Sequence, residues 1–413
     1  MTTTGPRSDQ RAERSLMIVA GDISGENHTS KIIPRLKELA PDIKIWGVGG
    51  PKMEEAGMEL LFDTSKFAVI GIFEIINKIS FFVNMHLTLL QAIKERKPDA
   101  VLLVDFGGFN IRLATWIRRQ NKDLPICYFV SPQVWGSRPW RLDALKHAIT
   151  KMLTIFPFEE KIYQNKKIDA RFVGHPILKS LPELDTIAGR QELCDRLNLN
   201  ADKPIIIVMP GSRKREIKSH MPVVAQGIKE ILAVRPDTQF VLSRATRELS
   251  AVIDESIAKH GLTPFLGKGL VLSEASSNFE LMKNCDLIWA KSGTTTLETA
   301  LFGKPMLIFY TGNWFSYLLV LCFKTVKNFG WPNLLAGYEL VPELIQLDCR
   351  SDKFVKYTLD LLDVPALRQE ISEELLTLRQ ELGEGDFVEN CAQEVLAIVN
   401  QAAGSPSITA SVR

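Results

Sequence analysis

The sequence predicts an α/β protein built from two doubly wound, Rossmann-like domains with parallel sheets. Short apolar runs alternate with amphipathic stretches along the chain, which is typical of βαβ units. Parallel strands require such crossover segments, and the amphipathic stretches are long enough to form helices. The alternation pauses once near the middle of the chain and then resumes. Since 413 residues also exceed what one compact core usually holds, two domains are the simplest account.

The apolar runs fall into two series, which mark the two domains. The first series of predicted strands comprises residues 16–20, 43–48, 100–104, 126–130, 152–156 and 171–173. The second series comprises residues 205–209, 239–242, 270–272, 286–290 and 306–309. We therefore predict a polar tail over 1–15, a first domain over 16–185, a second domain over 200–370, C-terminal helices over 371–402 that pack on the first domain, and a flexible tail over 403–413.

Composition and charge exclude several classes of protein. Apolar residues make up 46% and charged residues 24% of the chain, as in soluble globular proteins, which argues against a disordered or disulfide-stapled chain. With a formal charge of only +2, the chain lacks the strong positive field of a dedicated nucleic-acid binder, so we predict no nucleic-acid partner. The six cysteines form no C-x-x-C pair, which indicates neither zinc nor a redox dithiol and fits a reducing compartment.

Two apolar segments stand out from this soluble pattern. Residues 67–82 (FAVIGIFEIINKISFF) and 313–331 (NWFSYLLVLCFKTVKNFGW) are rich in aromatic and aliphatic side chains. Neither is long enough to cross a bilayer, and the first apolar run, residues 16–20, is too short for a signal-peptide core, so we expect a protein that is neither secreted nor transmembrane. One interpretation is a pair of core helices. The other is an apolar surface with flanking cations that docks on lipid or encloses acyl chains.

Two strand ends in the first series carry residues suited to binding and catalysis. Open parallel sheets bind ligands at the carboxyl ends of their strands. After the first strand, Ser24 and Gly25 lie in a turn of small residues where a ligand can approach a helix N-terminus, although Ser24 could simply cap that helix. After the strand at 100–104, Asp105 could take a proton from a hydroxyl group, although it could also be a helix cap.

The second series ends in candidate phosphate contacts. Arg213 follows the turn Pro210-Gly211-Ser212 and could bind phosphate oxygens with both arms of its guanidinium. The turn Ser292-Gly293-Thr294 opens a helix and would present hydroxyl and N–H groups to a phosphate, with Glu298 one turn further on to hold a ribose. A capping box between a threonine and Glu298 would need no ligand. Because this turn and Arg213 occur in the same half of the chain, we favour a nucleoside-diphosphate site.

Two further stretches combine polar and aromatic side chains. Trp135, Arg138 and Arg141 follow the strand at 126–130 and could bind an anionic, amphipathic molecule, or could form a loop held by cation–π contacts. Asn333 lies in a turn between apolar helices, where its amide could be structural.

These stretches, taken together and in order, resemble the lipid-A-disaccharide synthase family, which are glycosyltransferases of the GT-B fold. The resemblance runs from about residue 16 to residue 400. It rests on AGDISGENH, GVGGPKMEEAGME, AVIGIFEII, KPDAVLLVDFGGFN, YFVSPQVW, FPFEEKIY, FVGHP, MPGSR, SGTTTLETAL and PNLLAGYELVPELIQ. PGSR and SGT occur in other sugar-nucleotide enzymes, whereas YFVSPQVW and PNLLAG together are much more specific.

The resemblance implies two domains facing across a cleft and an inverting transfer of 2,3-diacylglucosamine from UDP to 2,3-diacylglucosamine 1-phosphate. The product would be the β-1,6-linked lipid A disaccharide 1-phosphate, and the resemblance implies no cofactor and no metal ion. By position, Asp105 would be the catalytic base. The UDP-sugar would be bound by Ser24, Gly25, Arg213, Ser292, Gly293, Thr294, Glu298 and Asn333, and the acceptor by Trp135, Arg138 and Arg141.

The resemblance also gives an apolar surface beside the site a use, because both substrates carry acyl chains. We therefore expect a cytoplasmic enzyme that associates peripherally with the cytoplasmic face of the inner membrane, and a homodimer is compatible with this. The chain departs from the family pattern at Gly107-Gly108, where many members carry proline and a second acidic residue. Asp105 would then have to act as the base without that second carboxylate.

Two other functions stay open on the sequence alone. One is another UDP-sugar enzyme on the same scaffold, such as a UDP-N-acetylglucosamine transferase or 2-epimerase with a soluble substrate. That function would leave the two apolar segments unexplained. The other is a sugar-nucleotide or lipid-binding protein without turnover.

Overall fold

The computed structural model describes residues 13–67, 75–244, 246–274, 277–312, 317, 327–383 and 386–404. The chain divides into two compact units, Met1–Pro176 with Glu384–Arg413, and Ile177–Gly383. This division corrects the predicted domain boundaries, because the first unit ends at Pro176 and not at residue 185. Most of the two predicted tails, namely residues 1–12 and 405–413, lies outside the described residues, as do residues 68–74, 313–316 and 318–326 of the two apolar segments.

The first unit is built on a parallel sheet. Its described strands are β1 Ser15–Ala20, β2 Lys44–Gly49, β3 Glu59–Asp63, β4 Ala100–Val104, β5 Ile126–Phe129, β6 Lys151–Thr154 and β7 Ala170–Phe172. They lie in the order β3-β2-β1-β4-β5-β6-β7. Every residue of the central strand β4 is buried, which explains why it is a continuous apolar run without polar alternation.

Helices connect these strands and complete the βαβ units. They are α1 Ile23–Leu39, α2 Pro51–Glu55, α3 Ile75–Arg96, α4 Gly107–Gln120, α5 Val134–Ser137, α6 Arg141–Ala148 and α7 Pro157–Asn165. The amphipathic stretches predicted at 111–119 and 158–164 lie within α4 and α7. Their buried residues, such as Leu113 and Tyr163, face the sheet core, as the period of 3.6 requires.

The second unit repeats this architecture. Its described strands are β8 Ile205–Met209, β9 Gln239–Arg244, β10 Leu270–Glu274, β11 Leu287–Lys291, β12 Met306–Tyr310 and β13 Glu343–Ile345. They lie in the order β10-β9-β8-β11-β12-β13, and all pairs are parallel. The helices described in this unit are α8 Arg190–Leu197, α9 Lys214–Val234, α10 Ser250–Lys259, α11 Asn278–Asn284, α12 Thr294–Leu301, α13 Trp331–Ala336, α14 Ser351–Asp363 and α15 Pro365–Glu381.

The last helix, α16 Phe387–Ala402, returns to the first unit. Phe387 stacks on Phe129 of β5, with ring centroids 6.4 Å apart. Glu394 accepts ion pairs from Lys151 and Arg171, each at 2.6 Å. Of the helices predicted over 371–402, only α16 belongs to the first unit, since α15 lies within the second. The prediction for that part of the chain is corrected accordingly.

Both sheets are confirmed as parallel α/β sheets, and every predicted strand is present with ends within two residues. β3 and β13 were not predicted from the sequence, and both are edge strands in their sheets. β3 begins and ends on an acidic residue, and β13 has three residues, so neither forms a recognisable apolar run.

Each sheet reverses its direction of winding at one point. In the first unit, β1 pairs with β2 on one side and with β4 on the other. In the second unit, β8 lies between β9 and β11 in the same way. Ligands of open α/β sheets bind at this switch point, beyond the carboxyl ends of the two diverging strands. The segments that follow β1 and β4, and those that follow β8 and β11, are therefore where the sites are expected.

Candidate active site

Asp105 follows β4 at the switch point of the first sheet and lies in a strained turn. Asp105 and Phe106 have φ values of 42° and 49°, and Val130 after the neighbouring strand has 57°, left-handed values that side chains rarely adopt. The Asp105 carbonyl accepts hydrogen bonds from the Tyr128 hydroxyl at 2.6 Å and from the Asn110 amide at 3.0 Å. These buried partners fix the turn that presents the carboxylate.

The Asp105 carboxylate lines a pocket of about 330 Å³, here called the base pocket. Burial raises the pKa of Asp105 to about 6, the nearby Asp22 carboxylate adds to the rise, and the Phe106 N–H opposes it. The group is therefore mainly ionised at neutral pH and more basic than an ordinary aspartate, as a general base should be. Asp105 is not a helix cap, because Phe106 occupies the N-cap of α4 without a side-chain hydrogen bond.

Asp22 is a second carboxylate at this switch point, and it was not predicted as a site residue. Its Oδ1 accepts a hydrogen bond from the Gly25 N–H at 3.3 Å, so Asp22 and not Ser24 caps α1. A Cβ atom on Gly25 would lie 2.8 Å from that oxygen, which explains the glycine. Ser24 is exposed, with its Oγ 3.2 Å from His28 Nε2. Burial raises the pKa of Asp22 as well.

The loop after β5 forms another wall of the base pocket. Trp135, predicted to bind the acceptor, is buried and donates its indole N–H to Glu159 Oε1 at 3.0 Å. Ser131 Oγ donates to the same oxygen at 2.6 Å. Trp135 therefore holds the loop in place and does not line the pocket. Burial raises the pKa of Glu159 to about 7, against the lowering effect of these two hydrogen bonds.

A second, larger cavity adjoins the base pocket, and we call it the aromatic cavity. Its volume is about 670 Å³, and its lining residues are Phe82, Val83, His86, Leu87, Phe106, Gly108, Phe109, Arg112, Trp116, Arg138 and Arg141. The two predicted arginines, Arg138 and Arg141, line both cavities. Arg112 was missed by the sequence analysis, because a single arginine on an amphipathic helix looks like an ordinary surface residue.

In the second unit, the turn after β8 is shaped for an anion. Gly211 has a φ of 134°, a backbone conformation that favours glycine. His220 Nδ1 donates to the Pro210 carbonyl at 2.6 Å, which anchors the start of the turn. Arg213 follows with an exposed guanidinium, as predicted for a phosphate contact.

Glu216, also missed from the sequence, organises this turn. It accepts hydrogen bonds from the Ser212 N–H at 3.1 Å and from Arg213 Nη1 at 3.2 Å. Lys291, from the end of β11, lies 3.2 Å from the same carboxylate. Burial opposes ionisation of Glu216, but Lys291, the Ser212 N–H and Arg213 outweigh it and keep its pKa below the usual value. The glutamate thus holds two cations at the mouth of one pocket.

That pocket, here called the phosphate pocket, has a volume of about 240 Å³. Its lining residues are Met209, Pro210, Gly211, Ser212, Arg213, Ser243, Asn278, Lys291, Gly293, Thr294 and Thr295. Gly293 is the N-cap of α12, no side-chain oxygen caps this helix, and the first residues of the helix, Thr294 and Thr295, line the pocket together with Gly293. Arginine, lysine and a helix N-terminus together make a site for a phosphate or diphosphate.

Two other predicted residues of this segment lie differently. No capping box forms at α12, so the alternative role considered for Glu298 is wrong. Glu298 is half-buried, burial raises its pKa, and it lies outside the lining of the phosphate pocket. Ser292 donates its backbone N–H to the Phe309 carbonyl at 2.9 Å, which extends the pairing of β11 with β12.

Asn333 is fully buried, and its amide is used within the protein. Its Nδ2 donates to the Val341 carbonyl and to Glu343 Oε1, both at 2.8 Å, and its Oδ1 accepts from the Val341 N–H at 2.9 Å. The predicted direct contact with the donor sugar is therefore corrected. Asn333 positions Glu343, whose carboxylate also accepts the N–H groups of Phe329 and Gly330.

Neither metal clusters nor membrane spans are found in the part of the chain that the structure describes. No three His, Cys, Asp or Glu side chains there come together as metal ligands. No helix there combines the length and the apolar character needed to cross a bilayer. Metal-independent transfer stays a prediction from the resemblance.

The two parallel α/β units define the class of the protein, which has a GT-B-type fold that glycosyltransferases and sugar-nucleotide epimerases share. Solved structures with this fold include a UDP-GlcNAc 2-epimerase from Neisseria meningitidis bound to UDP-GlcNAc, with a TM-score of 0.59 and 13% identity over 92% of this chain and 99% of that one. The glycotransferase of kitacinnamycin has a TM-score of 0.58 and 16% identity, covering 93% and 98%. At these identities the likeness shows the fold alone.

The chain belongs to the lipid-A-disaccharide synthase family. The model of the family described as lipid-A-disaccharide synthetase matches residues 16–395. Lipid-A-disaccharide synthase 1 of Legionella pneumophila strain Philadelphia 1 is 33% identical over 89% of this chain and 93% of its own length. The lipid-A-disaccharide synthase of Geobacter sulfurreducens is 32% identical over 96% and 99%.

Proposed function

We propose that the protein transfers 2,3-diacylglucosamine from UDP to 2,3-diacylglucosamine 1-phosphate with inversion, forming the β-1,6-linked disaccharide 1-phosphate and UDP. Family membership supplies the substrates. The observation that carries the chemistry is Asp105, a basic carboxylate on a fixed turn at the switch point of the first sheet. The adjoining aromatic cavity suits a substrate with acyl chains.

In the proposed reaction, Asp105 accepts the proton of the acceptor 6-hydroxyl as its oxygen attacks the anomeric carbon of the donor. The bond from that carbon to the diphosphate breaks, and UDP leaves with the electron pair. Arg213, Lys291 and the N–H groups at the start of α12 stabilise the charge that develops on UDP. The ionised form of Asp105 is the reactive one, so its pKa of about 6 keeps it active at neutral pH.

The remaining predicted residues keep supporting roles in this proposal. Gly293 and Thr294 contact the diphosphate through the backbone, and Ser292 positions their turn. Glu298 binds the ribose hydroxyls. Ser24 and Gly25 belong to the first unit, where Gly25 gives Asp22 room to cap α1.

We also propose that the enzyme associates peripherally with the cytoplasmic face of the inner membrane. Three large apolar side chains that line the aromatic cavity are exposed, namely Val83 (52%), Leu87 (59%) and Trp116 (48%). Trp140, which lies in the sequence between the lining residues Arg138 and Arg141, is 54% exposed. Arg119 lies over the ring of Trp116, 5.7 Å from its centroid. Apolar and cationic side chains in one surface region suit an anionic lipid interface.

The direct test incubates the purified protein with UDP-2,3-diacylglucosamine and 2,3-diacylglucosamine 1-phosphate, and detects disaccharide 1-phosphate and UDP by mass spectrometry. Asp105→Asn should lower kcat by roughly 10²–10⁴, the range for loss of a general base, with UDP affinity unchanged. UDP release without disaccharide would reject the acceptor. Turnover of unacylated UDP-N-acetylglucosamine with a soluble acceptor would favour the other UDP-sugar enzymes, and a near-normal rate for Asp105→Asn would remove Asp105 from the base role.

A further inference from the structure

Three arginines converge at the rim of the aromatic cavity. Arg138 and Arg141 line both this cavity and the base pocket, and Arg112 joins them from α4. They are close enough to influence one another: burial lowers the pKa of Arg141, and the charges of Arg138 and Arg112 lower it further. Among the residues with a described position, no hydrogen bond or ion pair involves any of the three guanidiniums. Three guanidiniums on one rim provide the hydrogen-bond donors and the positive charge that a phosphate group requires.

The cavity behind these cations is apolar and aromatic. The rings of Phe106 and Phe109 stack with their centroids 5.4 Å apart, and the Phe82 centroid lies 6.1 Å from that of Phe109. The rings of His86 and Trp116 are nearly perpendicular, with centroids 6.0 Å apart. Burial lowers the pKa of His86, so this histidine adds no charge to the cavity at neutral pH. An apolar cavity that opens at a cationic rim suits a molecule with an anionic head and a hydrocarbon chain.

The passage from this cavity to the base pocket is open at Gly108. Gly108 lines both cavities, and a Cβ atom added to it would meet nothing within 4 Å. A molecule held by Arg138 and Arg141 can therefore reach towards Asp105 on one side and into the aromatic cavity on the other.

We propose that the acceptor binds with its phosphate on Arg112, Arg138 and Arg141, one acyl chain in the aromatic cavity, and its reacting hydroxyl in the base pocket. This proposal rests on the proposed function, because it takes the acceptor to be an acylated sugar phosphate. It adds Arg112 to the site and assigns the phosphate and the chain to separate subsites. Inorganic phosphate alone uses only the first subsite, and an uncharged lipid only the second.

The binding test uses decyl phosphate below its critical micelle concentration, with decanol and inorganic phosphate as partial ligands, measured by titration calorimetry on the full chain. The wild type should bind decyl phosphate more tightly than either partial ligand. Arg112→Ala, Arg138→Ala and Arg141→Ala should each weaken decyl phosphate binding by about 10- to 100-fold, the range for hydrogen bonds to charged groups, and leave decanol binding unchanged. Trp116→Ala should weaken the binding of both decyl phosphate and decanol.

Lys146→Ala is the matched control, since Lys146 is an exposed cation on the same helix as Arg141 but lies outside the lining of both cavities. Its affinity for decyl phosphate should equal that of the wild type. Unchanged decyl phosphate binding in all three rim variants would overturn the proposal, as would equal wild-type affinities for decyl phosphate and decanol. Arg112 and Arg138 are exposed, so folding of their variants can be verified by an unchanged Tm.

Turnover separates this proposal from the proposed function. The rim variants should raise KM for the acceptor at nearly constant kcat, and removal of the acceptor phosphate should raise KM in the wild type but little further in the variants. Disaccharide formation with an unchanged KM for the dephosphorylated acceptor would overturn the phosphate subsite and leave the function standing. Decyl phosphate binding that depends on the arginines, without disaccharide formation, would support the phosphate subsite and overturn the proposed function. Lost binding to anionic vesicles with normal acceptor KM would assign the arginines to the membrane and overturn the proposal.

Discussion

Replacing Asp22 with asparagine should move the acidic limb of the pH–rate profile to lower pH. The Asp22 carboxylate helps to raise the pKa of Asp105, second to burial, and asparagine removes that charge. Asparagine retains an oxygen that can accept the Gly25 N–H, so the cap of α1 is preserved. The substitution therefore changes the electrostatics of the base with little change in its surroundings.

The expected magnitude follows from the pKa of Asp105. With a value of about 6, roughly one tenth of the enzyme has the ionised base at pH 5, and nearly all of it at pH 7.5. Wild-type kcat/KM should therefore fall about tenfold between these two pH values. If Asp105 had the pKa of an unperturbed aspartate, about 3.9, kcat/KM at pH 5 would still be roughly nine tenths of its plateau value. Asp22→Asn should lie between these limits, with a higher fraction of its plateau rate retained at pH 5.

The assay is the initial rate of disaccharide formation from pH 4.5 to 8.5, each variant normalised to its own plateau. The acceptor phosphate, near pH 6, and Glu159, with a pKa of about 7, also titrate in this range. A limb set by the substrate stays in place when Asp22 changes, and Glu159→Gln removes the second group. A flat wild-type profile down to pH 5, or a limb that Asp22→Asn does not move, would refute the reasoning.

Three further predictions test other parts of the structure. Arg213→Ala should weaken UDP binding by about 1.5–3 kcal/mol, as for other hydrogen bonds to charged groups. Arg215 lies outside the lining of the phosphate pocket, so Arg215→Ala should bind UDP normally. Equal affinities of the two variants in calorimetry would reject the contact between Arg213 and UDP. Gly107→Ala should lower the midpoint of urea unfolding, because the added Cβ would lie 2.9 Å from the Pro132 side chain. Gly108→Ala places its Cβ in open space, so its midpoint should match or exceed that of the wild type. An equal decrease in both variants would contradict this effect of packing. Asn333→Ala should destabilise the chain by about 1–3 kcal/mol in urea unfolding, since it leaves buried polar groups unpaired, and a smaller loss would mean that these groups find other partners.

The core strands could be predicted from sequence because burial along their whole length leaves a local signal. β4 and β8 are apolar at every position and are predicted with their correct ends. The edge strands β3 and β13 lack that signal, since less of each is covered by the fold. The predicted return of the C-terminal helices to the first unit holds for α16 and fails for α15, because an amphipathic pattern does not specify which core a helix covers.

Site residues divide along the same line. Asp105 and Arg213 follow apolar strands directly, so the strand-end rule finds them. Glu216 looks like an ordinary helix charge, and only the pairing of β8 with β11 brings Lys291 to it. Conversely, Asn333 stands in a specific motif, yet its amide is fully used inside the protein. A motif marks a residue as required but does not separate contact with a ligand from support of the fold.

Asn110 shows how support of the fold sets the chemistry of the base. Its buried amide lies within hydrogen-bonding distance of three carbonyls: Val19 in β1 at 3.3 Å, Val104 in β4 at 3.1 Å, and Asp105 at 3.0 Å. These strands carry Asp22 and Asp105 just beyond their ends, so one amide ties together the backbones that hold both carboxylates. Left-handed backbone at Asp105 would otherwise relax, since such strain persists only where the surroundings over-determine it. The raised pKa of Asp105 is therefore a property of the switch point as a whole, because burial and the neighbouring charge both depend on this turn.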